Sequence, residues 1–221
     1  MTARKSKKRD SLFIEVLAQN AVKVDPYEST DPILEQIIEC VLDQDESDLN
    51  VVKEVKNQLL VDFVDWNEVR IVTKERLSPS LKKLTHNDYK VKVLQAVLNK
   101  IFSRTGSLEC QFLLDFEKND LEDYLTGIME LTEYSRKRLI LRVFKKHVLP
   151  FTSDHEVIFE TFGSQFVIGD TSMIELFEPY DEVQLQGILE LLNTIIGENK
   201  GGDEFSSATL TKFIKKADAA K

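Results

Sequence analysis

The chain has little of what marks several protein classes. Two cysteines, Cys40 and Cys110, stand in 221 residues. They fit buried free thiols in a reducing compartment, and they cannot supply a four-cysteine iron–sulfur cluster or a four-cysteine zinc site. Eight glycines and five prolines are few. That argues against collagen-like, linker-rich and turn-rich all-β classes. No apolar run reaches the ~18–20 residues a membrane span needs. The basic opening stretch Met1–Ser11 lacks an apolar segment, so it does not read as a signal peptide. His86, His147 and His155 are scattered without metal-ligand spacing, and no Gly-rich phosphate loop occurs. No metal and no cofactor is expected.

What is present is helix. Apolar residues make up 42% of the chain, enough for a genuine core. They recur at helical spacing, and no segment reads as a strand. Residues 11–23 form a first helix, stopped by Asp25-Pro26. Asp31-Pro32 opens a second, as cap and first helical residue. Further helices are expected over 47–63, 86–104 and 181–198, with a short helix or turn over 73–84. Gly106 stops the helix over 86–104. Two helices over 120–131 and 135–147 are joined by Thr132-Glu133-Tyr134. Ser153 or Asp154 caps a helix reaching about Phe162, and a short one covers 170–177. The expected organisation is a basic disordered tail over 1–10, one helical domain over 11–200, and a polar tail or weak helix over 201–221. Trp66 reads as core.

The net charge is −9, but its distribution matters more. Residues 1–10 carry Arg4, Lys5, Lys7, Lys8 and Arg9 against Asp10. Residues 132–150 carry Arg136, Lys137, Arg138, Arg142, Lys145 and Lys146 against Glu133, a net +5. Two basic segments thus sit on an acidic body. A local patch attracts a polyanion, although salt screens it beyond ~8–10 Å. The ten acids of 151–200, against Lys200 alone, form a solvated face or a docking surface for a basic protein partner.

Several segments, in order, resemble the helix-hairpin-helix DNA glycosylase and apurinic-site lyase superfamily typified by endonuclease III. Val41-Leu42-Asp43-Gln44 resembles the family's Leu-Ser-Ala-Gln, whose glutamine probes the DNA helix. Phe63-Val64-Asp65-Trp66-Asn67-Glu68-Val69-Arg70 looks like an aromatic turn of one bacterial branch. Leu131 and Lys137 match the hairpin pattern Leu-Pro-Gly-Val-Gly-x-Lys-Thr-Ala, while its Pro, Gly, Val and Gly become Thr132, Glu133, Tyr134 and Ser135. Ser153-Asp154-His155-Glu156-Val157 is similar to Val-Asp-Thr-His-Val, which places Asp154 on the catalytic aspartate. Asp181–Lys200 resembles the closing helix without its cluster cysteines.

The resemblance implies an all-α, two-lobed fold in which both chain ends share one lobe and the hairpin belongs to the other. It implies double-stranded DNA as partner, no membrane, and a cytoplasmic, nucleoid-associated location. It makes Lys137 the Schiff-base nucleophile and Asp154 the stabiliser of the developing cation. Gln44, Arg136, Arg138, Arg142, Lys145 and Lys146 become the DNA contacts. Burial or neighbouring cations activate such a lysine, and Arg136 and Arg138 flank Lys137 in sequence. Helical geometry puts Lys137 at the edge of the Leu139–Ile140–Val143–Phe144 stripe, with Arg138, Arg142 and Lys145 on the outer face. A plainer reading stands beside this one. Lys137 is then one member of a solvated basic face, Asp154 a helix cap, and Gln44 a polar helix end. The hairpin poses the same choice. Its glycines normally present backbone N–H groups to a phosphate, and here Glu133 puts a carboxylate there. The alternative function is a non-catalytic helical interaction protein derived from that fold.

Overall fold

The computed structural model describes residues 13–23, 32–43, 49–161 and 175–199. Gln44, the tail over 1–10 and the segment over 201–221 lie outside them. The protein is all-α, and no strand occurs among the described residues. A first helix, α1, covers 13–19. Then come α2 (Ile33–Leu42), α3 (Leu49–Asp62), α4 (Trp66–Ile71) and α5 (Lys74–Leu77), followed by a 3₁₀ turn (Ser78–Leu81). The chain continues through α6 (Asn87–Thr105), a second 3₁₀ turn (Gln111–Asp115), α7 (Lys118–Thr126), α8 (Glu133–Arg142), α9 (Ser153–Thr161) and α10 (Glu182–Asn199). No helix among the described residues is long and apolar enough to cross a membrane.

The chain divides into two compact units. One is Glu28–Val148, and the other combines Met1–Tyr27 with Leu149–Lys221. In the first unit α2 packs against α3, α6 and α8, and α7 packs against α8. Its core comes from stripes at helical spacing. Ile37, Ile38, Val41 and Leu42 of α2 and Val91, Leu94, Val97, Leu98 and Ile101 of α6 are buried. In the second unit α9 packs on α10, and Phe13, Phe151, Phe159 and Phe177 form an edge-to-face cluster with centroids 5.3–6.4 Å apart. Val22 N–H donates to the Gly187 carbonyl at 3.1 Å. A side chain at 187 would meet the Val22 carbonyl oxygen, so only glycine lets α10 come this close.

Local chemistry explains the boundaries. Asp65 caps α4 by accepting from Glu68 N–H at 2.8 Å, and the Glu68 carboxylate accepts from Val64 N–H at 2.8 Å. The aromatic turn is therefore a capped helix start, with Trp66 buried. Asp181 and Gln184 make the same reciprocal cap at α10. Gly106, at φ 73°, closes α6 as expected.

The hairpin helices differ from expectation. α8 starts at Glu133 and ends at Arg142, and the six residues 127–132 join it to α7. Thr132 is the cap, which shifts the helix start two residues toward the N-terminus. Beyond Arg142 the chain turns, and Lys145 adopts φ 53°. The helix expected to run to His147 thus stops a turn early.

Candidate nucleic-acid interface

The α7–α8 hairpin carries most of the residues chosen from sequence. Thr132 Oγ1 accepts from Ser135 N–H at 3.1 Å and lies 2.6 Å from Ser135 Oγ. The start of α8 is therefore capped from within the chain. Glu133 occupies its first position, where a carboxylate complements the helix dipole. The amide at Ser135 that a phosphate-binding hairpin would present is taken by Thr132, and Glu133 stands in for the anion.

Lys137 lies one turn in and is half-buried. Its ammonium donates to Glu133 Oε1 at 2.7 Å. A Glu followed four residues later by Lys is the favourable helical order for such a pair. The hydrogen bond from Lys137, then the charges of Lys137 and Arg136, hold the Glu133 carboxyl below its usual range. The flanking guanidiniums turn elsewhere. Arg136 donates to the Leu131 carbonyl at 2.7 Å, and Arg138 points into the protein. Lys137 therefore faces a carboxylate rather than a pair of activating cations.

Arg138 and Arg142 correct the expectation of an outer basic face. Arg138 is buried and donates to Asp43 Oδ2 at 2.8 Å. Arg142 pairs with the same Asp43 oxygen and lies 3.7 Å from Glu39. One residue further out, Lys56 meets Glu39 at 3.3 Å and Glu35 at 3.6 Å. Lys90, also fully buried, donates to the Leu42 carbonyl at the end of α2 at 2.7 Å. The cause is packing. α8 contacts both α7 and α2, so it buries two faces, and the second is lined by arginines. A sequence signal existed: Glu35, Glu39 and Asp43 form an acidic i, i+4 row, and Arg138 and Arg142 a basic one.

Of the cations in residues 132–150, Lys145 is exposed, and Arg136, Lys137, Lys146 and Arg142 are half-buried, Arg142 being held by Asp43 and Glu39. Lys146 lies 3.9 Å from Glu117. The positive patch is therefore smaller than the sequence suggests.

Asp154 belongs to the other unit, as an exposed residue in the first turn of α9. Thr152, not Asp154, precedes the helix, and its carbonyl accepts from Glu156 N–H at 3.2 Å. This corrects the expected cap. The neighbouring His155 is buried. Its Nδ1 accepts from Thr152 N–H at 2.8 Å, and Nε2 lies 3.1 Å from Asn193 Oδ1. The bonding pattern assigns the proton to Nε2 and ties the start of α9 to α10.

Burial pushes the His155 pKa down to about 4, against smaller upward pulls from Asn193 and Asp154. An unfolded histidine titrates near ~6.5. Between these values the unfolded chain binds a proton that the folded chain refuses, so acid favours unfolding. Stability should fall as pH drops from ~6.5 to about 4, by roughly 3 kcal/mol in total from this group. Denaturant midpoints of wild type and His155→Gln against pH check this. Parallel curves in that window would contradict it.

A solvent-open cleft of about 320 Å³ lies elsewhere in the first unit, lined by Glu54, Asp62, Ser80 and Lys83 among others. Asp62 accepts from Ser80 Oγ at 2.6 Å and Gln58 at 2.7 Å, which holds its carboxyl low. None of the residues chosen from sequence lines it. Among the described residues, no group of three or more His, Cys, Asp or Glu is placed to hold a metal.

No family model matches the chain. Protein ROS1C of Oryza sativa subsp. japonica is similar to it, 29% identical over 96 residues. That stretch is 43% of this chain and 5% of the rice protein, so the chain spans only a small part of that relative's length.

Proposed function

We propose that this chain is a DNA-binding protein related to the base-excision-repair DNA glycosylases and apurinic-site lyases. The observation that carries the reading is the α7–α8 hairpin, with a capped helix start and Lys137 half-exposed one turn in. The partial likeness to Protein ROS1C also points toward a DNA glycosylase relation. In this reading duplex DNA meets Arg136, Lys145 and Lys146, and Asp154 serves as the carboxylate of the reaction.

The chemistry assigned to Lys137 is imine formation. Its amine leaves Glu133, gives up a proton and adds to the aldehyde carbon of an abasic site. Loss of water from the adduct gives the imine, and borohydride reduces it to a stable secondary amine. A covalent protein–DNA adduct on abasic duplex, formed only with borohydride, is the expected result. Its absence would sink the catalytic reading.

The Glu133–Lys137 pair favours a second reading, a non-catalytic relative that binds DNA or a protein through the same surface. That reading expects no adduct. It also expects weak DNA affinity that is lost as salt rises, because the few solvent-facing cations of residues 132–150 supply phosphate contacts alone.

A further inference from the structure

A second cluster lies apart from the hairpin lysine. Phe112, Phe116 and Tyr124 meet with ring centroids 5.7, 5.8 and 6.0 Å apart and interplanar angles of 68°, 78° and 79°. Three rings so nearly perpendicular form the corner of a box. The Arg104 guanidinium lies over all three, its Cζ 4.8, 5.0 and 5.8 Å from their centroids. All three rings are half-buried, and Arg104 is exposed. The Tyr124 hydroxyl donates to the Lys100 carbonyl at 3.1 Å, which fixes its ring.

We propose that Phe112, Phe116 and Tyr124 are a binding cage for a quaternary ammonium group on a basic peptide, with Arg104 as its displaceable internal occupant. Aromatic faces attract cations through their quadrupole, and a methylated ammonium sheds its water more easily than a primary one. Arg104 itself demonstrates that a cation fits among the rings. Its hold differs from that of Arg70, whose guanidinium sits 3.8 Å from the Phe102 centroid. Arg70 is also fixed by hydrogen bonds to Asn67 and Asn99. Among the described residues Arg104 has no hydrogen bond or ion pair, and Lys100 Nζ also lies over the Tyr124 ring at 5.4 Å, so a ligand replaces Arg104's ring contacts beside a second cation that touches one ring from the chain. The surrounding charge selects a basic carrier. Residues 107–131, which supply all three rings, hold Glu109, Asp115, Glu117, Asp120, Glu122, Asp123 and Glu130 against Lys118.

The probes are a short arginine-containing peptide with trimethyllysine, the same peptide unmodified, its uncharged tert-butyl isostere, and choline. Each is titrated into full-length protein and followed by the N-methyl or tert-butyl proton shifts. The trimethylated peptide should bind, with ring-current upfield shifts, at least about tenfold tighter than the unmodified peptide or the isostere. Arg104→Gln, an exposed change, should tighten it roughly fivefold by removing the competitor. Phe116→Ala should abolish it while the melting curve of the protein stays cooperative. Equal binding of the isostere or the unmodified peptide overturns the cage, as does weakening in Arg104→Gln. Choline binding as tightly as the peptide overturns the basic carrier.

Discussion

Asp43→Ala is expected to destabilise the protein by about 3 kcal/mol or more, a loss of roughly 6–12 °C in Tm at the lower bound. Asp43 is buried, and a single carboxylate oxygen takes both Arg138 and Arg142. Removing it takes the shared carboxylate from both guanidiniums in the contact between α2 and α8, and leaves Glu39, 3.7 Å from Arg142, as the remaining acid there. Breaking a buried pair from one side is costly because the stranded charge keeps its desolvation penalty. Removing the whole set is a different experiment. Asp43→Leu combined with Arg138→Met and Arg142→Met should recover most of the loss, since apolar groups of similar volume often replace buried ion pairs at little cost. Thermal melts of the single and triple variants measure both effects. A single variant within ~1 kcal/mol of wild type would show that the cluster is solvated and holds nothing together.

Lys137→Ala should remove the borohydride adduct completely, while Glu133→Gln should strengthen both the adduct and DNA binding. Lys137 is held by the one carboxylate that also occupies the start of α8. Glu133 thus opposes the proposed function twice. It keeps the ammonium in an ion pair, and it repels a phosphate approaching the helix start. Unit charges about 4 Å apart in water interact by ~1 kcal/mol, so neutralising Glu133 should tighten DNA binding roughly fivefold at about 50 mM salt. The gain should shrink near 200 mM salt as screening rises. Glutamine keeps the length of the side chain and still accepts from Lys137, so α8 should persist by circular dichroism. Unchanged affinity in Glu133→Gln would show that DNA, if bound, does not approach this helix start.

Two differences from the motifs that the chain resembles become intelligible together. Asp43 stands where the glutamine motif has alanine, and Arg138 where the hairpin motif has threonine. The two are partners at 2.8 Å. Each looks like erosion when read along the chain, and together they are one internal contact. The hairpin shows the same logic. Thr132 satisfies the Ser135 amide at the helix start, and Glu133 takes the Lys137 ammonium.

The sequence by itself determined the helices, because apolar spacing and capping residues act within a few positions. It also determined several helix ends, where Asp65 with Glu68, Asp181 with Gln184, and Gly106 act locally. It located Lys137 at the edge of a buried face, where it lies. Only the tertiary structure decided which charges face solvent. α8 packs on α2 as well as α7, so its second face turns inward: of the five cations expected to contact DNA, Arg138 becomes core and Arg142 is drawn into the same ion-pair cluster. A stripe read from one helix reports its strongest apolar face, whereas an ion pair across 95 residues depends on which helix lies opposite.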